Sequence, residues 1–297
     1  MEIIYTKNSE KLAKSIAEKL NLSASPAIVK KFGNDEIQVS LQRSFSHVTV
    51  VANTLTNEDW LELFLLLDAL KNTRIVNLCL TYVGYSRQDK INPNESCGNA
   101  LFLKFLETFN IAKFIFLDNH NEPILRSPFQ HLSATPLFIR DIKNKIQNNG
   151  YKTEDIVIVS PDLGRAKEAQ FIAETLKTDL AVCVKSRNVF NKVNRIKVLG
   201  NVENKICVLI DDMIDSGVTL CHASDALLEV KAYKVVAYAT HGIFSQGALQ
   251  SLASSNIAKI IVTDSVRCND SLNDNLSDKF EKLSVAKLLA DAIRVLI

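Results

Sequence analysis

No apolar run in this sequence is long enough to cross a bilayer. The strongest, residues 63–67, spans a handful of positions, where a spanning helix needs about 20, so no membrane partner is expected. The first 20 residues, MEIIYTKNSEKLAKSIAEKL, lack the unbroken apolar core of a signal peptide, and a cytoplasmic location is the expectation. Charge of one sign is also missing: 35 basic residues against 33 acidic leave a formal net charge of +2. There is no basic tract and no basic patch interleaved with aromatics, so no nucleic-acid partner is expected. The six cysteines, Cys79, Cys97, Cys183, Cys207, Cys221 and Cys268, include no C-x-x-C pair. Neither a zinc site nor a disulfide framework is therefore indicated, and the thiols are expected to be reduced. Low-complexity tracts are absent, and internal repetition is weak.

What is present is apolar residue in quantity. Hydrophobic residues make up 47% of the 297 positions, enough for two domains of about 150 residues, each with its own core. Short aliphatic runs alternate with helical patterns, the signature of βαβ units around a largely parallel sheet. Strands are expected at 2–5, 48–52, 75–82, 113–117, 156–159, 180–184, 206–210, 235–240 and 260–263. Leu12, Ile16 and Leu20 mark one face of a helix capped by Asn8 or Ser9. The polar stretch KNKIQNNGYKTED, 143–155, places a break near residue 145. The reading is an α/β chain of two domains, 1–145 and 146–297, with a C-terminal segment packing back on the first.

The chemistry is densest at VLIDDMIDSGVTL, residues 208–220. Val208, Leu209 and Ile210 read as the end of a buried strand, with Asp211 and Asp212 at its carboxyl end. Asp215, Ser216, Gly217 and Thr219 follow where a helix begins. Backbone N–H groups and hydroxyls at a helix start can hold a phosphate, while carboxylates suit sugar hydroxyls or a hydrated cation. A sugar phosphate satisfies both.

These residues resemble the phosphoribosyl-binding motif of the type I phosphoribosyltransferase fold, shared by transferases and by ribose-phosphate diphosphokinases, also called phosphoribosyl pyrophosphate synthetases. The resemblance implies two phosphoribosyltransferase-like domains, each a largely parallel sheet flanked by helices. Further segments point to the diphosphokinases. KKFGNDEIQVSL, 30–41, resembles their adenine-contacting segment, which implies ATP-binding roles for Phe32, Asp35 and Glu36. Members place that loop across a subunit interface, so a homo-oligomer is implied, a dimer or a multiple of dimers.

YVGYSRQDK, 82–90, follows an apolar strand and resembles a diphosphokinase segment that plain transferases do not usually carry; it implies ATP contacts from Arg87, Gln88 and Asp89. Arginine offers phosphate oxygens a planar charged fork. Gly84 stands where the family usually has proline, a change expected to loosen the loop. FLDNHNEPI, 116–124, matches the D-x-H of the family's magnesium–ATP site and implies Mg2+ ligation by Asp118 and His120, with His120 also contacting ATP. Pro123 departs from the family pattern there.

VIVSPDLGRAKEAQFIAETL, 157–176, resembles the pyrophosphate loop, in which Asp162 would help hold magnesium. Arg165 and Glu168 differ from many bacterial and animal forms and look closer to an archaeal-type branch. VKSRNVFNKVNRIKVLG, 184–200, reads as a cationic loop closing over phosphates; it resembles the flexible loop whose lysine and arginine, here Lys185 and Arg187, are catalytic. Ser186 departs where arginine is common. ATHGIFSQGAL at 239–249 and the terminal VTDS and LSVAKLLADAIR extend the match almost to the end.

The activity implied is transfer of the pyrophosphoryl group of magnesium–ATP to the C1 hydroxyl of ribose 5-phosphate, giving AMP and phosphoribosyl pyrophosphate, a nucleotide precursor. Val218 replaces the glycine usual before the motif's threonine, a position where transferases vary. Two alternatives therefore stand beside it: a nucleobase phosphoribosyltransferase, and a non-catalytic regulatory synthetase-like subunit.

Overall fold

The computed structural model describes residues 1–90, 92–121, 125–186, 195–267 and 278–297, with Lys185, Ser186 and Arg195 described by backbone alone. The chain forms two compact units. The first holds Met1–Ser133, Ser265–Arg267 and Ser284–Ile297; the second holds Ala134–Asp264 and 278–283.

The first unit is built on a six-stranded, wholly parallel sheet. Its order is β2 (Ala24–Pro26), β1 (Glu2–Tyr5), β5 (His47–Asn53), β6 (Ile75–Tyr82), β7 (Lys113–Leu117) and β8 (Phe129–Leu132). The central strands are apolar along nearly their whole length because both faces are covered: β6 is buried at every position after its first. A separate antiparallel hairpin, β3 (Ile28–Lys31) and β4 (Ile37–Ser40), stands beside this sheet.

Helices form where apolar residues recur every three or four positions. In α1 (Glu10–Leu20), Leu12, Ile16 and Leu20 are buried together with Ala13 and Ala17. Ser9 does not cap it; its hydroxyl accepts from the Asn53 main-chain N–H at 2.9 Å. Helix α2 (Asn57–Ala69) opens on a reciprocal capping box, Asp59 N–H to Thr56 Oγ1 at 3.2 Å and Thr56 N–H to Asp59 Oδ2 at 2.8 Å. Helix α3 is Gly98–Leu106. The C-terminal helix α8 (Ala286–Arg294) belongs to this unit, packing on α1, with Arg294 Nη2 donating to the Lys19 carbonyl at 3.0 Å.

The second unit carries seven strands in the order β11 (Arg195–Leu199), β10 (Asp179–Ser186), β9 (Ile156–Ser160), β12 (Ile206–Ile214), β13 (Lys234–Gly242), β14 (Lys259–Thr263) and β15 (Phe280–Leu283). All pair in parallel except the edge strand β11. Alternate residues of β12 serve two cores. Cys207 and Leu209 pack with Leu220, Ala223 and Leu227 of α6 (Val218–Glu229) and with Leu252 of α7 (Ala248–Ser254). Ile206, Val208 and Ile210 pack with Phe138, Ile142 and Ile146 of α4 (Thr135–Asn148) and with Ile172 and Leu176 of α5 (Ala166–Leu176). Helices therefore cover both faces.

The division falls at Ser133, ahead of the break expected near residue 145. Phe138, Ile142 and Ile146 repeat at helical spacing and bury against Ile156, Ile158 and Ile172, which commits the whole of α4 to the second unit. The polar stretch at 143–155 includes the last turns of that helix.

Candidate active site

In the second unit the acidic pair lies inside a strand. Strand β12 continues four residues past the expected end at Ile210, because β13 pairs with it as far as Ile214 opposite Gly242, while pairing with β9 stops at Leu209 opposite Val159. Asp211 and Asp212 thus stand on a two-stranded extension at the carboxyl edge of the sheet, where ligands of α/β proteins gather. The Asp212 carboxylate is buried; Asp211 is partly exposed. Desolvation pushes the Asp211 carboxyl well above the usual carboxylate range, reinforced by hydrogen bonding and repulsion from Asp212.

The turn after β12 leads directly into a helix N-terminus, a place that can accept an anion. Gly217 lies in the left-handed region at φ +76°, and a Cβ there would come within 2.7 Å of Leu252, so glycine alone fits. Helix α6 begins at the next residue, and its first-turn N–H groups have no intrahelical acceptors. Asp215, Ser216 and Thr219 surround this helix start. Val218 is an ordinary first helical residue, half exposed, so the absence of the family's glycine there costs the turn nothing.

The loop from Asp162 reaches the acidic pair through a residue that the sequence reading left without a role. Asp162 Oδ1 accepts from the Gly164 N–H at 2.8 Å, and Ser160 Oγ donates to the Asp162 carbonyl at 2.6 Å. Arg165, next in the chain, forms an ion pair with Asp212. The signal available was an arginine preceding a helix with Glu168 three residues on; its decisive partner is remote in sequence.

Lys185 is a strand residue. Strand β10 runs to Ser186 and β11 pairs back on it, Lys185 opposite Ile196, so the expected cationic loop is shorter than 184–200 at both ends. Arg187 lies outside the described residues, as does Pro123.

In the first unit, the β3–β4 turn presents Phe32, 41% exposed, with Lys30 Nζ 5.1 Å from its ring centroid. The turn is closed by Phe32 N–H to the Glu36 carbonyl at 2.8 Å and by Asp35 at φ +67°. Asp35 also pairs with Lys31 at 3.3 Å. The loops after β6 and β7 are tied together by Asn121 Nδ2 donating to Asp89. Arg87 and Gln88 are exposed, and Asp118 and His120 half-buried. Asp118 adopts φ +37°, with its N–H on the Leu132 carbonyl at 2.8 Å.

Gly84 does not loosen its loop. A Cβ there would sit 2.0 Å from the Thr54 carbonyl oxygen, and the Gly84 N–H donates to Thr54 Oγ1 at 3.0 Å. Proline satisfies neither condition.

Among the described residues no group of three or more His, Cys, Asp or Glu could enclose a metal. A magnesium ion is commonly bound through one or two carboxylates and keeps much of its shell for water; Asp118 with His120 in the first unit, and Asp162 in the second, are donors of that kind. A cavity of about 230 Å3 in the second unit is lined by Ile142, Ile156, Ile206, Val236, Tyr238 and Ile261. It reaches the starts of β9 and β12, the end of the sheet opposite the carboxylates.

Residues 1–109 match the N-terminal domain of ribose phosphate pyrophosphokinase, and residues 185–297 the phosphoribosyl synthetase-associated domain. Ribose-phosphate pyrophosphokinase 1 of Streptococcus pneumoniae is 34% identical, covering 99% of this chain and 92% of the relative. The chain belongs to the ribose-phosphate pyrophosphokinase family. The Streptococcus agalactiae enzyme of the same name is 33% identical over 99% of the chain and 92% of its own length. The crystal structure of phosphoribosylpyrophosphate synthetase from Mycobacterium smegmatis superposes with a TM-score of 0.88 at 29% identity, covering 100% of this chain and 99% of that one. The fold is accordingly α/β of the phosphoribosyltransferase-like kind in both units.

Proposed function

We propose that the chain transfers the pyrophosphoryl group of ATP to ribose 5-phosphate, forming phosphoribosyl pyrophosphate and AMP. The observation that carries this reading is the likeness to a pyrophosphokinase over 99% of this chain and 92% of that relative. A nucleobase phosphoribosyltransferase needs only the second unit's motif, and a non-catalytic subunit has no use for an intact one. No observation favours either.

In this reaction the anomeric oxygen of the sugar attacks the β-phosphorus of ATP, the bond from that phosphorus to the α,β-bridging oxygen breaks, and AMP leaves. The hydroxyl proton passes to solvent. Little covalent chemistry falls to the protein, so positioning and charge neutralisation dominate. Asp211 and Asp212 orient the ribose hydroxyls. Ser216, Gly217, Thr219 and the α6 N-terminus hold the 5-phosphate, with Asp215 beside them. Phe32 offers the adenine a stacking face, Asp35 and Glu36 border it, and Arg87, Gln88 and Asp89 contact the nucleotide. Lys185 and Arg187 stabilise charge on the transferring group.

Magnesium would supply further charge neutralisation when bound; Asp118 and His120 in the first unit, and Asp162 in the second, are the residues that would hold it. A homo-oligomer, a dimer or a multiple of dimers, follows from the same family reading. Among the described residues no helix is long and apolar enough to cross a membrane.

The test of the catalytic assignment is Lys185→Ala. Turnover should fall by about 100-fold or more, the scale of removing a charge-stabilising group, with an unchanged circular dichroism spectrum. Normal turnover in that variant would remove Lys185 from the mechanism.

A further inference from the structure

We propose that Arg165 is a positioning residue that acts through Asp212, clamping the loop that starts at Asp162 to the acidic pair of β12 and setting the Asp212 carboxylate for the sugar hydroxyls. The inference rests on the ribose 5-phosphate reading of that pair and deepens it.

The geometry is a relay within the second unit. One terminal nitrogen of Arg165, Nη2, pairs with Asp212 Oδ2; the other, Nη1, lies 3.6 Å from Glu168 Oε2. Glu168 Oε1 in turn accepts from Thr135 Oγ1 at 2.7 Å. The guanidinium is thus held between two carboxylates, one of which is itself hydrogen-bonded. The Asp212 side chain is 4% exposed and that of Arg165 19%, so solvent screens this pair far less than an open surface pair. A planar fork with two terminal nitrogens is what such a bridge requires, and lysine supplies only a single point charge.

The clamp also has an anchored base. Arg165 directly follows Gly164, whose N–H is bound by the Asp162 carboxylate at 2.8 Å. The residue that turns the loop and the residue that grips β12 are therefore set by one short segment. A partly buried ion pair is a poor source of stability in itself, because desolvating the two charges offsets their attraction. Fixing two loops in register is a use that this cost does not cancel.

The test uses the full-length protein with ribose 5-phosphate and ATP, reading steady-state kinetics and calorimetric binding of ribose 5-phosphate. Arg165→Gln should raise KM for ribose 5-phosphate about tenfold, while KM for ATP stays within about twofold, as expected for loss of a charged hydrogen-bonding partner on one substrate's side. Arg165→Lys should recover part of the loss. Arg165→Gln combined with Asp212→Asn should bind ribose 5-phosphate no more weakly than Asp212→Asn alone, since a residue acting through another adds nothing once its partner is gone. The double variant also removes both charges of this pair, so a buried Asp212 carboxylate left without its cation cannot confuse the result.

Multiplying effects would mean that Arg165 touches the substrate itself, and an unchanged KM in Arg165→Gln would mean that it holds nothing; either overturns the inference. Calorimetry separates this from the activity. Wild type that binds ribose 5-phosphate, with about a tenfold loss in Arg165→Gln, supports the clamp even if no AMP is released. Wild type that binds none overturns the clamp and the sugar-phosphate reading together.

Discussion

The main-chain N–H of Asp212 donates to Asp211 Oδ1 at 2.9 Å, so the first carboxylate of the pair is gripped by the backbone of the second. That bond and the Arg165 charge favour the ionised form of Asp211, yet desolvation and the neighbouring carboxylate prevail and its pKa rises. A carboxyl group whose folded pKa lies above its unfolded one binds its proton more tightly when folded. Its contribution to stability therefore falls as pH rises from the ordinary carboxylate range through the raised value. Asp211→Asn should flatten that decline and raise the melting temperature at neutral pH. Ribose 5-phosphate affinity should fall in the same variant. Melting curves identical to wild type from pH 4 to 8 would contradict the raised pKa of this residue.

Gly84 supplies the second prediction. Its backbone touches the Thr54 carbonyl where a Cβ would need to be, and overpacking of this kind costs about 1–3 kcal/mol. Both Gly84→Ala and Gly84→Pro should lower the thermal midpoint, the proline more because it also loses the N–H bond to Thr54 Oγ1. Since the same loop carries Arg87, Gln88 and Asp89, KM for ATP should rise in whatever fraction stays folded. A proline variant as stable as wild type would show that the loop tolerates the residue usual in the family.

Much of this was legible in the chain itself. Strands such as 75–82 and 113–117 could be bounded because fully buried parallel strands read as continuous apolar runs. The short edge strands β2, β8 and β15 were not, since a few residues paired on one side carry no distinct pattern. The extension of β12 through Asp211 and Asp212 was hidden for another reason: acidic residues do not announce a strand, and only pairing with β13 makes them one. In the site, the Asp pair and the Ser-Gly-x-Thr turn followed from local sequence. Arg165 did not, because its role depends on a partner brought near only by the parallel pairing of β9 with β12.

Phe32 separates binding from folding. Its ring is exposed at the tip of a hairpin, outside the buried core, so Phe32→Ala should leave the melting temperature within about 1 °C of wild type. Base stacking on an aromatic is worth about 1–3 kcal/mol, and KM for ATP should rise roughly tenfold while KM for ribose 5-phosphate holds. Equal changes in both Michaelis constants would place the hairpin's role elsewhere than at the nucleotide.

The most direct measurement is phosphorus NMR of the purified chain incubated with ribose 5-phosphate, ATP and magnesium. AMP and phosphoribosyl pyrophosphate should appear in equal amounts, with both absent when the sugar phosphate is omitted. ATP left intact, or ADP formed in place of AMP, would contradict pyrophosphoryl transfer.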